Sequence, residues 1–294
     1  MLNGILPALI TPFKDDKIDF ESLEKLINKH LASGVCGFVL LGTTAETPAL
    51  SDKEKDEILK FSTGIIGKKA KVVIGVGSNS TQVTLRNIDM AAKYSPDMVL
   101  VVTPYYNKPN LSGMIAHFQA AAKAGIPIML YHIPGRTGQK LSVGFFDKLL
   151  GAVPQIKAVK ESDYDIARVT EMAVKFGGKR IEYVCGNDDL WPIFLALGGK
   201  ALISAAGNSL TPAFVKIHKL FMQGKTQEAM AVFAAAYPLI KASFYEVNPT
   251  CPKYILEKLG ICSQQVRLPL GQISEETKEQ IDNIFEHTYR KLMI

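Results

Sequence analysis

Short apolar runs alternate with amphipathic segments along most of the chain, almost to residue 225. The runs are continuously apolar, which is typical of parallel strands that are covered on both faces. The segments between them repeat apolar residues at helical spacing. Strands are predicted at 5–11, 37–41, 72–76, 98–102, 127–131, 156–160, 182–185 and 201–204. Helices are predicted at 20–32, 52–64, 81–94, 112–124, 143–151, 166–176, 190–197 and 212–222.

Eight strand–helix units in this length predict an α/β protein, a (β/α)8 TIM barrel. A doubly wound sheet is the main rival. The barrel is favoured because unusual polar residues follow strand ends in many different units, as they do around a barrel mouth. The remaining segment contains only helical patterns, clearest at 228–245 and 274–291. We therefore predict a barrel over 1–224 and a C-terminal helical extension over 225–294.

The composition is that of a globular protein, with 294 residues, 47% hydrophobic and 21% charged. The net charge of +6 comes from lysines spread along the chain, which suits a small anionic substrate better than nucleic acid. No apolar stretch approaches the ~20 residues of a membrane span. Four cysteines without a C-x-x-C pair predict a reducing cytoplasm. No complete nucleotide, phosphate or zinc motif is present, so no cofactor and no metal are predicted.

Lys160 is the most informative residue for function. It ends the apolar run 156–160, and strand alternation places it on the same face as Ile156 and Ala158. Burial disfavours the ammonium form of a lysine and makes a free amine available as a nucleophile. Taken alone, Lys160 is better explained by a salt bridge or by a side chain that reaches solvent.

Three further segments carry polar groups at strand ends. The motif Gly42-Thr43-Thr44-Ala45-Glu46 offers hydroxyl and N–H groups that suit a carboxylate. The segment 103–109 places two phenols between prolines, and Tyr131 and Arg136 lie at and just after the fifth strand. Each has a plainer explanation, respectively a turn with a helix cap, aromatic loop packing and a surface ion pair. Together with a nucleophilic lysine they match Schiff-base chemistry on an α-keto acid.

The chain resembles the dihydrodipicolinate synthase family of pyruvate-dependent class I aldolases. The resemblance runs from Gly4 to the C-terminus and is carried by several motifs. These are Gly42-Thr43-Thr44-Ala45-Glu46, 103–109, 131–138, Lys160-Glu161, Gly186-Asn187-Asp188, Ile203-Ser204, 248–253 and Arg267-Leu268-Pro269-Leu270. The resemblance implies a lyase that condenses pyruvate with L-aspartate 4-semialdehyde in lysine and diaminopimelate biosynthesis, and a homotetramer built as a dimer of dimers.

The resemblance also implies roles for individual residues. Lys160 would form the Schiff base with pyruvate, and Tyr131 would be the nearest general acid and base. Thr43 would link Tyr131 to Tyr106, which would reach in from a neighbouring subunit. Thr44 would bind the pyruvate carboxylate, and Arg136 would bind the carboxylate of the aldehyde. Ile203, through its backbone carbonyl, and Gly186 would also line the substrate site.

Several positions depart from the common family pattern, although none removes a catalytic group. Ala45 stands where glycine is usual, and His132 replaces an asparagine. Ser162 and Asp163 replace residues of an Ala–Ser/Thr–Gly run, and in 248–253 the second proline is displaced by one position.

The feedback site of lysine-inhibited relatives is only partly retained. Asn79 and Tyr105 match, but Val83 stands at the glutamate position and Lys55 at the histidine position. Loss of the carboxylate leaves the ammonium group of a bound lysine poorly paired. We therefore predict weak or absent inhibition by lysine in a steady-state assay. Half-inhibition at micromolar lysine would contradict this prediction.

Three other functions compete with the synthase. The nearest is another pyruvate aldolase, such as an N-acetylneuraminate or 2-keto-3-deoxy-sugar lyase; Arg136 and the Tyr105-Tyr106 pair argue against a polyol substrate. A non-catalytic barrel that binds keto acids would be expected to lose the lysine or the tyrosines. A flavin-dependent barrel oxidoreductase would need a phosphate-binding glycine loop after strands seven and eight, which is not seen.

Overall fold

In the computed structural model, which describes residues 1–292 apart from the side chain of Arg290, the chain divides into two compact units. The first unit comprises 1–3 and 71–203, and the second comprises 4–70 and the chain from Ser204 onward. The predicted boundary between 224 and 225 falls inside the second unit and stays a prediction.

The strands, in chain order, are β1 (Gly4–Pro7), β2 (Phe13–Lys14), β3 (Lys17–Ile18), β4 (Gly37–Leu40), β5 (Lys71–Gly75), β6 (Met98–Val102), β7 (Ile128–His132), β8 (Ile156–Glu161), β9 (Glu182–Cys185) and β10 (Ala201–Ser204). The α-helices are α1 (Phe20–Ser33), α2 (Asp52–Ile66), α3 (Thr81–Ala92), α4 (Leu111–Ala122), α5 (Pro134–Thr137), α6 (Val143–Ala152), α7 (Ile166–Phe176), α8 (Trp191–Ala196), α9 (Gly207–Met222), α10 (Thr226–Ala242), α11 (Thr250–Lys258) and α12 (Glu275–Leu292). Short 3-10 helices span Thr43–Ala45, Thr47–Ala49 and Asp188–Leu190.

The first unit is built on neighbouring parallel strands in the order β10-β9-β8-β7-β6-β5. The registers pair Tyr131 with Lys160 and Lys160 with Val184. Most residues of these strands are buried, which accounts for their continuously apolar sequence. Near the carboxyl ends of β7, β8 and β9, the residues Tyr131, Lys160 and Val184 therefore lie next to one another across the sheet.

The second unit contains β1 and β4, which are joined by a parallel bridge between Ala8 and Val39. Its helices pack as a layer, with α10 against both α9 and α12, and α9 against β1. Both helices bury apolar residues, such as Phe214 of α9 and Leu239 of α10. The three C-terminal helices therefore belong to the core of this unit.

The sequence sets where many helices begin. Asp19 is the N-cap of α1 and accepts a hydrogen bond from the Ser22 backbone N–H at 3.0 Å between N and Oδ1. Ser51 and Glu54 form a reciprocal capping box at the start of α2. These side chains satisfy N–H groups that the first helical turn leaves without a backbone partner.

All eight predicted barrel strands are present, but the hairpin β2–β3 and helices α5 and α11 were not predicted. The hairpin β2–β3 and helix α5 are too short for a hydrophobic period to show. Helix α11 begins just after Pro249 and contains Pro252, residues that usually interrupt helical patterns. Among residues 1–292, each helix is too short or too polar to cross a bilayer.

Candidate active site

Lys160 and Tyr131 lie side by side at the carboxyl ends of β8 and β7. The Lys160 Nζ atom is 4.1 Å from the centroid of the Tyr131 ring. Both residues are buried, each only 7% exposed. A lysine held against a phenol in a largely dry position can act as a nucleophile beside a group that donates and accepts protons.

Gly186 follows β9 and leaves room for the Lys160 side chain. Its backbone N–H donates to the Glu161 carbonyl at 2.7 Å between N and O, which brings the two strand ends close together. A Cβ atom at Gly186 would lie 2.2 Å from the Ser162 Oγ, 2.8 Å from the Glu161 carbonyl oxygen and 3.1 Å from the Lys160 Cε. Only glycine fits at this position without moving the neighbouring strand.

The variant Gly186→Ala is expected to lower kcat by about 10²-fold, since a displacement of about 1 Å of a reacting group costs this much. The added methyl group overlaps the backbone of Glu161, so β8 and with it Lys160 must shift. Steady-state kinetics of the two purified variants test this, with Gly144→Ala as the matched control, because a Cβ there meets nothing within 4 Å. An unchanged kcat for Gly186→Ala would contradict the prediction.

On the opposite face of the same strand ends, a fully buried carboxylate organises a polar cluster. The Glu161 carboxylate accepts from His132 Nδ1 at 2.7 Å, from the Tyr183 hydroxyl at 3.1 Å and from the Asp163 backbone N–H at 2.9 Å. Arg168 Nη2 lies 2.5 Å from the Glu161 Oε2. Burial and the Glu161 carboxylate raise the pKa of the Tyr183 phenol well above its usual range, so it stays a donor.

Arg136 lies on the short helix α5, which follows β7 directly. The helix is capped at its C-terminus by Gly138, whose φ of 67° is the left-handed conformation that glycine adopts without strain. The Arg136 side chain is exposed, whereas its neighbour Thr137 is buried and donates to the Ile133 carbonyl at 3.0 Å between Oγ1 and O. The fold therefore presents a guanidinium group four residues beyond the end of the strand that carries Tyr131.

Tyr105 and Tyr106 occupy the loop after β6. Tyr106 is 89% exposed and has a φ of 69°, an unusual conformation for a tyrosine. Asn107 fixes the loop by donating from Nδ2 to the Asn79 carbonyl at 2.8 Å. Tyr106 thus projects from the surface of its own chain, and its expected role in a neighbouring subunit stays a prediction.

In the second unit, the motif Gly42-Thr43-Thr44-Ala45-Glu46 follows β4 and forms a 3-10 turn. Thr43 is exposed, whereas Thr44 is buried and accepts a hydrogen bond from Asn248 Nδ2 at 2.9 Å to its Oγ1. Because Asn248 occupies an acceptor position of this hydroxyl, the Thr44 O–H remains able to donate to a carboxylate. The sequence had marked the segment 248–253 without assigning this contact to Asn248.

Glu46 fixes the end of this motif. It has a left-handed φ of 54° and its carboxylate is buried. Lys253 Nζ donates to one carboxylate oxygen, and the Arg267 backbone N–H donates to the other at 2.9 Å between N and Oε2. The Arg267 guanidinium also pairs with Glu54, at 2.7 Å between Nη2 and Oε1. Lys253 and Arg267 therefore hold the turn that carries Thr43 and Thr44.

The sequence matches the dihydrodipicolinate synthetase family over residues 1–288. The chain belongs to this family. It is 35% identical to the 4-hydroxy-tetrahydrodipicolinate synthase of Methanocaldococcus jannaschii over 287 residues, which cover 97% of this chain and 98% of that protein.

Solved structures of the family agree with this membership. The 4-hydroxy-tetrahydrodipicolinate synthase of Methylacidiphilum fumariolicum SolV superimposes with a TM-score of 0.95 at 32% identity, covering 100% of this chain and 98% of that one. The chloride-inhibited dihydrodipicolinate synthase of Acinetobacter baumannii, complexed with pyruvate, gives 0.93 at 30% identity, covering 98% and 99%. The predicted fold class, a (β/α)8 barrel with a C-terminal helical segment, is confirmed by the match to solved structures of the family. These relatives support the predicted synthase activity over the alternative of a sugar lyase.

The residues that the resemblance matched to a lysine feedback site make contacts of their own in this structure. The Asn79 carbonyl is engaged by Asn107, and Lys55 pairs with Asp52 in its own helix at 3.0 Å between Nζ and Oδ1. Tyr105 is partly exposed, and Val83 offers no carboxylate. Weak or absent inhibition by lysine therefore stays a prediction.

Proposed function

We propose that this chain condenses pyruvate with L-aspartate 4-semialdehyde to give 4-hydroxy-tetrahydrodipicolinate, in lysine and diaminopimelate biosynthesis. The observation that carries the proposal is the buried pair of Lys160 and Tyr131, with the Lys160 Nζ 4.1 Å from the phenol ring centroid. Membership of the dihydrodipicolinate synthetase family and the pyruvate complex of the Acinetobacter baumannii relative support pyruvate as the first substrate.

The reaction begins when the Lys160 amine attacks the keto carbon of pyruvate. Loss of water from the adduct gives an iminium ion, which acidifies the adjacent methyl group, and removal of a proton gives an enamine. The enamine carbon then attacks the aldehyde carbon of the second substrate. Attack of that substrate's own amino group on the iminium carbon closes the ring and frees Lys160. Tyr131, beside the amine, is the proposed group that moves protons in these steps.

The other groups follow from the family resemblance. Thr43 would pass protons between Tyr131 and the Tyr106 of a neighbouring subunit, and the homotetramer stays part of this proposal. Thr44 would donate its hydroxyl and backbone N–H to the pyruvate carboxylate, which its contact with Asn248 favours. In a parallel barrel, the carboxyl ends of all strands open on one face, so residues that follow different strands can serve one reaction.

Arg136 would bind the carboxylate of the aldehyde, since guanidinium groups pair with carboxylates in a bidentate manner. Gly186 leaves the space beside Lys160 in which the substrate would lie, and Ile203, buried on β10, would contribute its carbonyl. Neither a cofactor nor a metal ion takes part in this scheme.

We also propose a cytoplasmic location. All four thiols, Cys36, Cys185, Cys251 and Cys262, are present as free cysteines. A protein of an oxidising compartment commonly uses such residues in disulfides, whereas reduced thiols suit the cytoplasm.

The first experiment is borohydride trapping of the purified protein with pyruvate, followed by intact-mass and peptide analysis. A pyruvate-sized adduct on Lys160 is the expected result. An adduct on another lysine, or none at all in a protein that still binds pyruvate, would contradict the proposed chemistry. Assays of pyruvate with different aldehydes then separate aspartate semialdehyde from sugar-derived substrates.

A further inference from the structure

His132 connects two segments of the first unit from a fully buried position. It is the last residue of β7, in register with Glu161 of β8, and lies on the strand face opposite to Tyr131. Its Nδ1 atom is 2.7 Å from the Glu161 Oε1, and its Nε2 atom is 3.1 Å from the Leu141 backbone nitrogen. Both ring nitrogens are therefore engaged, each with a different segment.

The backbone contact fixes the tautomer of the ring. The Leu141 N–H is a donor, so His132 Nε2 accepts and carries no proton. The ring proton therefore lies on Nδ1 and is donated to Glu161. The imidazole therefore donates to Glu161 of β8 through one nitrogen and accepts from Leu141 through the other.

Arg168 closes the arrangement from α7. Its Nη2 lies 2.5 Å from the Glu161 Oε2, and its Nη1 donates to the Leu141 carbonyl at 3.5 Å. Leu141 is thus held through both its N–H and its carbonyl, by two side chains that meet on one carboxylate. Four residues, His132, Glu161, Arg168 and Leu141, form a closed hydrogen-bonded ring.

The segment that this ring closes carries Arg136. Residues 133–140 leave the end of β7, form α5 and return to Leu141, where the His132 ring holds the returning chain. At the near end, the Thr137 hydroxyl donates to the Ile133 carbonyl. The loop is therefore fixed at both of its ends by side chains, and its span sets the place of the exposed Arg136.

We propose that His132 is a positioning residue for Arg136. Through its Nε2 contact with Leu141 it fixes the loop so that the guanidinium meets the carboxylate of the aldehyde substrate. Its Nδ1 contact with Glu161 supports the strand that carries Lys160. This inference rests on the proposed function. In it, the Nε2 contact supports binding of the aldehyde through Arg136, and the Nδ1 contact supports the reaction with pyruvate through the strand of Lys160.

Two substitutions separate these contacts. The amide of asparagine can occupy the place of Nδ1, so His132→Asn keeps a donor to Glu161 and loses the acceptor for Leu141. The longer glutamine reaches the place of Nε2, so His132→Gln keeps the acceptor and loses the donor. His132→Asn is expected to raise KM for aspartate semialdehyde about tenfold, the effect of one lost hydrogen bond on binding. Its KM for pyruvate and its rate of borohydride trapping are expected to stay near wild type, and His132→Gln should recover most of the aldehyde KM.

His117→Asn is the matched control. His117 is another buried histidine of the first unit, with its Nδ1 atom 3.0 Å from the Thr81 hydroxyl, and it takes no part in the proposed site. The His117→Asn variant should leave both KM values unchanged.

If His132→Asn does not yield folded protein, Arg168→Lys tests the same point, because lysine can pair with Glu161 without also reaching the Leu141 carbonyl. That variant should also raise the aldehyde KM selectively.

The proposal is overturned if folded His132→Asn keeps the wild-type aldehyde KM. It is also overturned if the rate of trapping with pyruvate falls by as much as the aldehyde KM rises, since equal effects on both substrates mark a general loss of structure. Failure of the wild-type protein to trap pyruvate is a different result and counts against the proposed function itself.

Discussion

Replacing Lys160 with methionine is expected to lower kcat by roughly 10⁴-fold or more, the scale seen when a covalent nucleophile is removed. Methionine has a similar length and suits the buried position against Tyr131, so the fold should persist. Without an amine no iminium ion forms, and no other residue of the proposed site can acidify the pyruvate methyl group. Steady-state kinetics with pyruvate and aspartate semialdehyde, together with borohydride trapping, measure both consequences.

Lys157→Met provides the matched control for this experiment. Lys157 lies on the same strand, β8, but is exposed. Its replacement removes a positive charge of the same kind and should leave kcat and trapping unchanged. Persistent trapping of pyruvate by Lys160→Met, or equal losses in the two variants, would show that the nucleophile lies elsewhere.

Replacing Lys253 with methionine is expected to reduce the free energy of unfolding by about 3–5 kcal/mol, the cost of leaving a buried charge without its partner. Lys253 is fully buried, and its Nζ contacts Glu46 and the Gln265 carbonyl, the latter at 2.7 Å. Burial lowers the pKa of Lys253, which reflects how dry this position is. Chemical denaturation followed by circular dichroism measures the loss.

The same variant should also raise KM for pyruvate, because Glu46 fixes the turn that carries Thr44. Lys258→Met is the control on the same helix, where the lysine forms a partly exposed ion pair with Asp282 at 2.8 Å between Nζ and Oδ1. Exposed pairs of this kind contribute about 0–1 kcal/mol. A loss of stability for Lys253→Met no greater than that of Lys258→Met would contradict the prediction.

The barrel strands could be predicted from the sequence because parallel strands covered on both faces must be continuously apolar. Lys160 stood out for the same reason, since it ends such a run. The hairpin β2–β3 and helix α5 could not be predicted, because two to four residues are too few to show a period. Arg136 could therefore be placed only just after the fifth strand, without the helix on which it lies.

Pairings between distant residues were also beyond the sequence. Lys253 and Glu46 are separated by 207 positions, and His132 and Glu161 by 29. Local patterns report only which face of an element is buried, so they give no partner for a buried polar residue. The substitution of histidine for the usual asparagine at 132 was visible, but its contact with Leu141 was not.

The amino-acid sequence by itself determined the succession of strands and helices, the family and the residues proposed for the chemistry. These depend on local periodicity and on motifs of neighbouring residues. Only the tertiary structure decided that Lys160 lies against Tyr131, that Gly186 admits no side chain, and that His132 holds the end of the Arg136 loop. These depend on strand register and helix packing, which bring together groups that no local pattern connects.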